Sequence, residues 1–523
     1  MKIRAVDNGR RAPVVTWSRV ARSRGGEMRF TLCLSLLVSG LGIAGAEAQT
    51  VAIDAQQAGR PFPHFWEKAF GSGRAVLSLR DDYRRDLDQV KAITGFEYVR
   101  FHAIFDDENG VYDEDAAGKP VLNFDQVDLI YDGLLAHGIK PYVELSFMPR
   151  KLESKPAVFP FWYKPEVSPP KDDAKWAGLM EAFARHLIDR YGIDEVASWY
   201  FEVWNEPNLP FWAGTPPLET YLHLYDVTSR SLKKVSDRLR VGGPATAQAA
   251  WVVPFLEHAA KTGAPVDFVS THVYANDTPQ NVLGAEGPVN RLTMVPRAVD
   301  KVYRQVKSSS KPDLPIHWSE FNASYMNEVD VTDSPFMGPW LATTIANCDG
   351  KVALMSYWTF SDVFEEGGIF KNVFYGGFGL LANHSIPKAA FHAFRLLHRL
   401  GEVRIPVESD SVLATKRSDG TLEIALWSYA DPGVSGPERT IALELKGAPG
   451  DQGTLERVDA EHGSPIAEWK RMGSPASPTM SQAAVLRAAA AAEPPERVRI
   501  EGGRITVKMP TPGLVLLEVP PRR

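Results

Sequence analysis

The stretch Trp199-Tyr200-Phe201-Glu202-Val203-Trp204-Asn205-Glu206-Pro207-Asn208 reads as a short buried strand running into a polar turn. Aromatic and β-branched residues favour the strand, which is predicted to end at Trp204. Glu202 falls inside the strand and Glu206 just past its C-terminal end. The stretch Ile316-His317-Trp318-Ser319-Glu320-Phe321-Asn322 has the same grammar, closing on an acid in aromatic surroundings.

Outward from these two stretches, residues 65 to 400 alternate short β-branched or aromatic runs with longer helical patterns. The predicted strands are 65–70, 98–105, 140–147, 199–204, 240–243, 267–274, 315–321 and 353–360. Between them Tyr83, Leu87 and Val90 share one helical face before Gly95, and Val127, Ile130, Leu134 and Leu135 do so before Gly138. Trp176, Leu179, Phe183 and Leu187 repeat the pattern before Gly192, and a last helix covers roughly 388–400. Eight alternating strand–helix units predict an α/β fold, a (β/α)8 TIM barrel over residues 49–400. An open doubly wound sheet fits less well, because no glycine-rich phosphate loop follows the first strand.

After Gly401 the pattern becomes short alternating strands at 411–416, 421–429, 439–445, 453–458, 504–509 and 514–519, punctuated by Gly and Pro. This predicts a C-terminal all-β sandwich as an accessory domain over 401–523. Residues 51–53 could add a strand to the same sandwich, and the alanine-rich 481–493 reads as a helix interrupting it.

Residues 1–48 read as an N-terminal extension and signal peptide. Met28-Arg29, a possible alternative start, leads into an apolar run at 30–43 that is too short to span a bilayer. The run ends in the small residues Ala44-Gly45-Ala46-Glu47-Ala48. The expectation is an exported protein, periplasmic or secreted, with no membrane anchor in its mature form. Of the two cysteines, Cys33 would leave with the signal and Cys348 would remain, so no intrachain disulfide is expected. A chain of 523 residues with 44% hydrophobic and 23% charged residues is globular, neither disordered nor collagen-like. The formal net charge of −6 argues against a nucleic-acid partner. There is no His-Glu-x-x-His motif, no cysteine pair, no Gly-x-Ser-x-Gly elbow and no phosphate loop, so neither metal nor organic cofactor is expected.

Reactive groups of a (β/α)8 barrel belong at the C-terminal strand ends. Acids at the ends of strands four and seven would face each other across the mouth. Glycoside hydrolysis requires such a pair: one carboxyl protonates the leaving oxygen while the other attacks, or activates water at, the anomeric carbon.

Trp204-Asn205-Glu206-Pro207-Asn208 resembles the Asn-Glu signature of retaining glycosidases, and the wider context is similar to glycoside hydrolase family 39, in particular its β-xylosidases. The matching stretches are His64-Phe65-Trp66-Glu67-Lys68-Ala69-Phe70-Gly71-Ser72-Gly73-Arg74, Val99-Arg100-Phe101-His102, Ser270-Thr271-His272-Val273-Tyr274 and Ser356-Tyr357-Trp358-Thr359-Phe360-Ser361-Asp362-Val363-Phe364-Glu365-Glu366. Arg457 to Pro465 and Met472 to Pro475 add to them.

The resemblance implies that Glu206 is the general acid/base and Glu320 the nucleophile, and that Glu366 accepts hydrogen bonds from sugar hydroxyls. Arg100, near the end of strand two, would hold Glu320 ionised or pair instead with Glu202, which reads as a structural carboxylate. Asn205 suits a donor to the substrate 2-hydroxyl. His102, His272 and Tyr274 fall at strand ends where they could line the sugar site, and Tyr274 could also bond Glu320. Trp358 could stack under a sugar ring; Phe360 reads as barrel core. The expected function is a retaining exo-glycosidase releasing terminal β-D-xylosyl residues from xylo-oligosaccharides. The alternatives are another neutral glycoside (β-glucoside, α-L-arabinoside, exopolysaccharide) or a silent carbohydrate-binding protein. Glu365 and Glu366 would repel a uronic acid.

Overall fold

The computed structural model describes residues 49–522; the signal-peptide expectation lies outside them. Eight parallel strands close into a barrel in the chain order Ala69–Gly71, Tyr98–Phe101, Lys140–Leu145, Tyr200–Val203, Arg240–Thr246, Phe268–Tyr274, Ile316–Asn322 and Leu354–Tyr357. The eighth strand pairs back onto the first through Ser356 and Ala69. Helices Asp81–Lys91, Asp125–Ala136, Asp173–Tyr191, Pro217–Val235, Val252–Thr262, Arg291–Lys307, Met337–Cys348 and Ala389–Leu397 cover the outside.

The first strand starts four residues later than the sequence predicts. Phe65 and Trp66 are fully buried, but in a turn, where the apolar run satisfies the core without extended pairing. Aromatic content alone does not separate a buried turn from a buried strand.

The barrel interior is layered, as parallel strands of alternating side-chain direction require. Tyr98, Tyr142, Tyr200, Phe268 and Leu354 fill the lower layer, with His317 stacked on Phe268 at 4.6 Å between ring centroids. Two residues further along their strands, Arg100, Glu144 and Glu202 replace the apolar layer with a fully buried charged one.

Beside the barrel lies a β-sandwich. One sheet holds Gln49–Asp54, Gly436–Lys446 and Arg504–Thr511; the other has, in spatial order, Arg60–Pro61, Val403–Ile405, Val412–Lys416, Leu422–Ser428, Gly513–Val519, Gln452–Val458 and Glu496–Arg499. Val51, Ile53, Ile424, Leu443, Val507 and Leu517 fill the space between the sheets. The outer face of the larger sheet is also apolar: Leu413, Ala425, Trp427, Leu514 and Leu516 merge with the barrel core, against helices Met337–Cys348 and Ala389–Leu397. The alanine-rich helix is Met480–Ala489, with a Thr479–Gln482 capping box at its start. Its Ala483 and Leu486 pack under Val373, Phe374 and Ile386 of the long excursion after strand eight.

That excursion, residues 358–388, returns to a fully buried Lys388. The Lys388 ammonium lies 2.7 Å from both Asp333 and Asp362 and donates to the Gly377 carbonyl at 2.9 Å. One cation thus ties the beginning and end of the excursion to the loop after strand seven. Among the described residues no helix is long and apolar enough to cross a membrane.

Candidate active site

Strand four ends at Val203, and the chain then turns sharply: Trp204 and Glu206 both adopt left-handed backbone conformations, with φ of 70° and 44°. Such conformations cost free energy in non-glycine residues and persist where neighbours over-determine them. Here the Trp204 indole donates to the Phe211 carbonyl at 2.7 Å, and the Glu206 amide donates to the Ala245 carbonyl at 2.8 Å. The turn thereby aims Glu206 into a cavity of about 380 Å³ at the C-terminal mouth of the barrel. His102, Asn205, Glu206, Tyr274, Glu320, Trp358 and Glu366 all line it.

Glu320 accepts from Arg100 Nη1 at 2.7 Å and from the Tyr274 hydroxyl at 2.6 Å. A guanidinium and a phenol thus converge on this one carboxyl. The sequence left Arg100 a choice between Glu320 and Glu202, and the structure gives it both. Its Nε donates to Glu202 at 2.6 Å, and Nη2 reaches Glu144 at 2.7 Å and Asn205 Oδ1 at 3.0 Å. Glu202 is fully buried below the cavity, the paired structural carboxylate expected of it. Asn205 is fixed through its oxygen, which leaves its amide N–H groups free of Arg100.

One oxygen of Glu206, one ring nitrogen of His272 and one oxygen of Glu320 all lie within 4.8 Å of one another. Retaining glycosidases hold their carboxyls about 5–5.5 Å apart, close enough for direct attack, whereas inverting enzymes leave room for a water. Burial raises the Glu206 carboxyl well above its ordinary range; the charges of Glu320 and then Asp277 add to this. Burial also lowers His272 far below the usual imidazole value, with Arg100 and His102 reinforcing it, so His272 is neutral.

Hydrogen-bond valence then assigns the protons. Ser319 has one hydroxyl hydrogen and gives it to Glu202 at 2.5 Å. His272 Nε2, 3.1 Å from Ser319 Oγ, must donate to it, which leaves Nδ1 as an acceptor. Glu206 Oε1, 3.0 Å from Nδ1, can bond only by donating its own proton. Fold and hydrogen bonding both favour the acid form of Glu206.

His272 was expected among the sugar contacts. It is instead fully buried behind Glu206 and does not line the cavity, because its two ring nitrogens are spent on Glu206 and Ser319. Tyr274, two residues on, reaches the cavity. His102 does line it: Nδ1 bonds Glu144 at 2.7 Å, and Nε2 lies 3.4 Å from Glu366. Burial alone would lower His102, but Glu144, Glu366 and Glu320 outweigh it and raise it to about 10. Glu366 also lines the cavity, with its Oε1 buried against the His102 ring. Glu365 points elsewhere, bonded to Arg74 at 3.2 Å and Arg80 at 2.5 Å.

Trp358 forms an aromatic cluster with Tyr274, Phe364 and Phe378. Its indole lies against Gly71 so closely that a Cβ there would sit 2.0 Å from Cε3. Phe360 is core, packed edge-on to Tyr83 at 4.8 Å. The sequence reading missed Glu144, Ser319, Asp277, Gln248, Phe161 and Phe211. Glu144 had a signal, since it shares the inward face of its strand with Tyr142 and a buried arginine needs acids around it. A separate His–Glu–His cluster, His64, Glu67 and His398, joins the turn before strand one to the end of the last barrel helix. There a buried carboxylate bonds two imidazoles at 2.6 and 2.9 Å.

A closed (β/α)8 barrel carrying two close carboxyls at the ends of strands four and seven defines a retaining glycoside hydrolase. Residues 49–504 match the model of glycosyl hydrolases family 39, and the chain belongs to that family. It is 38% identical over 434 residues to a β-xylosidase of Geobacillus stearothermophilus, covering 80% of this chain and 84% of that one. It is also 38% identical to a β-xylosidase of Caldicellulosiruptor saccharolyticus, covering 79% and 85%. The crystal structure of a monomeric β-xylosidase from Caulobacter crescentus CB15 is similar, at 33% identity and a TM-score of 0.81, covering 91% of this chain and all of that one.

Proposed function

We propose that this protein is an exported retaining exo-β-xylosidase that removes terminal β-D-xylosyl residues from xylo-oligosaccharides. Glu320 attacks the anomeric carbon as Glu206 protonates the departing glycosidic oxygen, forming a covalent glycosyl–enzyme ester. The ester removes the Glu320 charge, which lowers the proton affinity of Glu206; Glu206 then takes a proton from the incoming water as that water bonds the anomeric carbon and breaks the ester, releasing the free sugar and the Glu320 carboxylate. Asn205 donates to the sugar 2-hydroxyl, Glu366 accepts from another hydroxyl, Trp358 stacks on the ring, and Arg100 and Tyr274 hold the nucleophile.

The observation that carries this reading is the placement of Glu206 and Glu320 within 4.8 Å. The choice of xylose is supported by the two β-xylosidases at 38% identity. A neutral sugar is supported by the cavity lining, which includes Glu366 and in which the cationic His102 is already engaged by Glu144 and Glu366. Export is supported by the order of charge, apolar run and small residues before position 49.

The test is 4-nitrophenol release from a panel of aryl glycosides: β-D-xyloside, β-D-glucoside, α-L-arabinopyranoside, α-L-arabinofuranoside and α-L-iduronide. Dominant xyloside turnover, lost in Glu320→Ala, is expected; dominance of another glycoside would overturn the substrate and keep the mechanism.

A further inference from the structure

The segments that connect barrel and sandwich run side by side. Arg60–Pro61 pairs with Val403–Ile405, and the Phe62 amide donates to the Glu402 carbonyl at 2.7 Å. Between these pairings and the barrel stand His64 and Glu67, in the turn before strand one, and His398, the C-terminal cap of helix Ala389–Leu397. The reaction at the barrel mouth uses none of the three. Residues at the N-terminal ends of barrel strands serve stability rather than chemistry.

Three donor groups meet at this joint. Glu67 Oε1 lies 2.6 Å from His64 Nδ1 and 2.9 Å from His398 Nδ1, and His398 Nδ1 is also 2.9 Å from Glu67 Oε2. One ligand atom from each residue lies within 4.8 Å of the other two. A zinc ion with bonds of about 2.0–2.1 Å spaces tetrahedral donors roughly 3.3 Å apart, so small side-chain rotations turn these contacts into a coordination shell. Gly95 leaves room for the carboxylate, since a Cβ there would lie 3.2 Å from Glu67 Oε1.

Charge and hydrogen bonding both favour an ion. Glu67 is fully buried, and among the described residues no lysine or arginine pairs with it. Other buried acids of the chain do have such a partner: Glu144 and Glu202 share Arg100, and Asp333 and Asp362 share Lys388. A divalent ion would give Glu67 the fixed positive charge that a buried carboxylate calls for. The imidazoles are free to act as ligands. His64 Nε2 has no hydrogen-bond partner, and His398 makes its hydrogen bonds among the described residues through Nδ1 alone. No second partner therefore fixes the ring proton on Nδ1, and each Nδ1 can present its lone pair.

We propose that His64, Glu67 and His398 form a structural zinc site, with water as fourth ligand, that fixes the end of the last barrel helix to the turn entering strand one. The ion takes the place of the two imidazole–carboxylate hydrogen bonds. Two nitrogens and one carboxylate suit zinc, whereas calcium and magnesium take shells of oxygen. The partly exposed His398 ring provides the entry path.

The test titrates zinc chloride into the full chain after dialysis against EDTA, by calorimetry, with thermal melting in parallel. One zinc per chain is expected, and Tm should rise by about 2–3 °C at free zinc 100 times Kd. His398→Ala changes a partly exposed helix cap, so its metal-free melting should stay close to that of the wild type while zinc affinity falls about ten-fold or more. Glu67→Gln keeps the shape of the buried side chain and should lose the zinc-dependent rise in Tm. Glu206→Gln controls for the carboxyls at the barrel mouth and should bind zinc as the wild type does. No binding by the wild type, equal binding by His398→Ala, or binding lost in Glu206→Gln would each overturn the site. Both readouts are independent of which glycoside the enzyme prefers.

Discussion

Glu206 Oε1 and His272 Nδ1 stand 3.0 Å apart with no spare proton on the imidazole side. The proton in that bond belongs to Glu206, and it must leave His272 for the cavity side of the carboxyl before it can serve the leaving group. Glu206→Gln keeps a donor toward His272 but has no proton to transfer. Its kcat/KM for a disaccharide is expected to fall about 10²–10⁴-fold, the usual worth of general acid catalysis. A 2,4-dinitrophenyl glycoside, whose leaving group needs no protonation, should lose far less in the same parameter. Equal losses on the two substrates would remove the acid role.

The tautomer of His272 is set one bond further away, by Ser319 giving its hydrogen to Glu202. In Ser319→Ala the imidazole is free to carry its proton on Nδ1 and to donate to an ionised Glu206. That change favours the base form, so the proton affinity of Glu206 should drop and the basic limb of the kcat/KM profile should move to lower pH. The other charged groups acting on Glu206, namely Glu320, Asp277, His102 and Arg100, remain in place. A uniform drop in rate with the basic limb unmoved would mean that Ser319 serves packing alone.

Gly71 ends strand one directly beneath the Trp358 indole. In Gly71→Ala the new methyl cannot coexist with the ring, so the indole must tilt or shift. KM for glycosides should rise several-fold with a smaller change in kcat, and Trp358 fluorescence should lose its response to a bound sugar. Unchanged KM would show that the indole does not touch substrate.

Asp86, on the helix after strand one, is buried and accepts from the hydroxyls of Ser361 and Ser385, both at 2.5 Å. Burial raises it from 3.8 to about 6; the serine bonds and Arg85 act in the opposite direction, while Asp82 adds to the rise. Between those two pH values the folded chain therefore binds more protons than the unfolded chain, and stability from this group is present at low pH and lost as pH rises through 6. Asp86→Asn abolishes that loss. The Tm difference, variant minus wild type, should become more positive from pH 4 to pH 7.5, by an amount corresponding to roughly 2–3 kcal/mol. A difference independent of pH would contradict the assignment.

Much of this was legible in the sequence. Alternating strand and helix patterns show in composition and period, and the barrel places acids at strand ends where the chemistry belongs. Strand-end position together with the family resemblance singles out Glu206, Glu320, Asn205, Tyr274 and Trp358, and all five line the cavity. Residues whose roles depend on a neighbour were not. His272 and Tyr274 share one face of one strand, and only three-dimensional packing turns the first backward onto Ser319. Gln248 and Asp277 lie in loops that carry no repeat or spacing to mark them. They reach the cavity lining through a left-handed backbone at Gln248 and through Asn208, whose side chain bonds both the carbonyl and the amide of Ala247, neither of which the sequence pattern announces. Strand one was misplaced for a related reason, since Phe65 and Trp66 meet the core from a turn.

Gln49–Asp54 runs parallel to Gly436–Lys446, with Val51 beside Leu443 across nearly four hundred residues of intervening chain. Arg60–Pro61 likewise pairs with Val403–Ile405. The segments that lead into the barrel therefore have no sheet partners until the sandwich strands exist. During synthesis the barrel must be made while its entrance waits, and the sandwich acts as the closing clasp of the whole molecule rather than an appendage. Loop-closure entropy for such distant pairing has to be met before the contacts reward it, so assembly of these strands belongs late in folding.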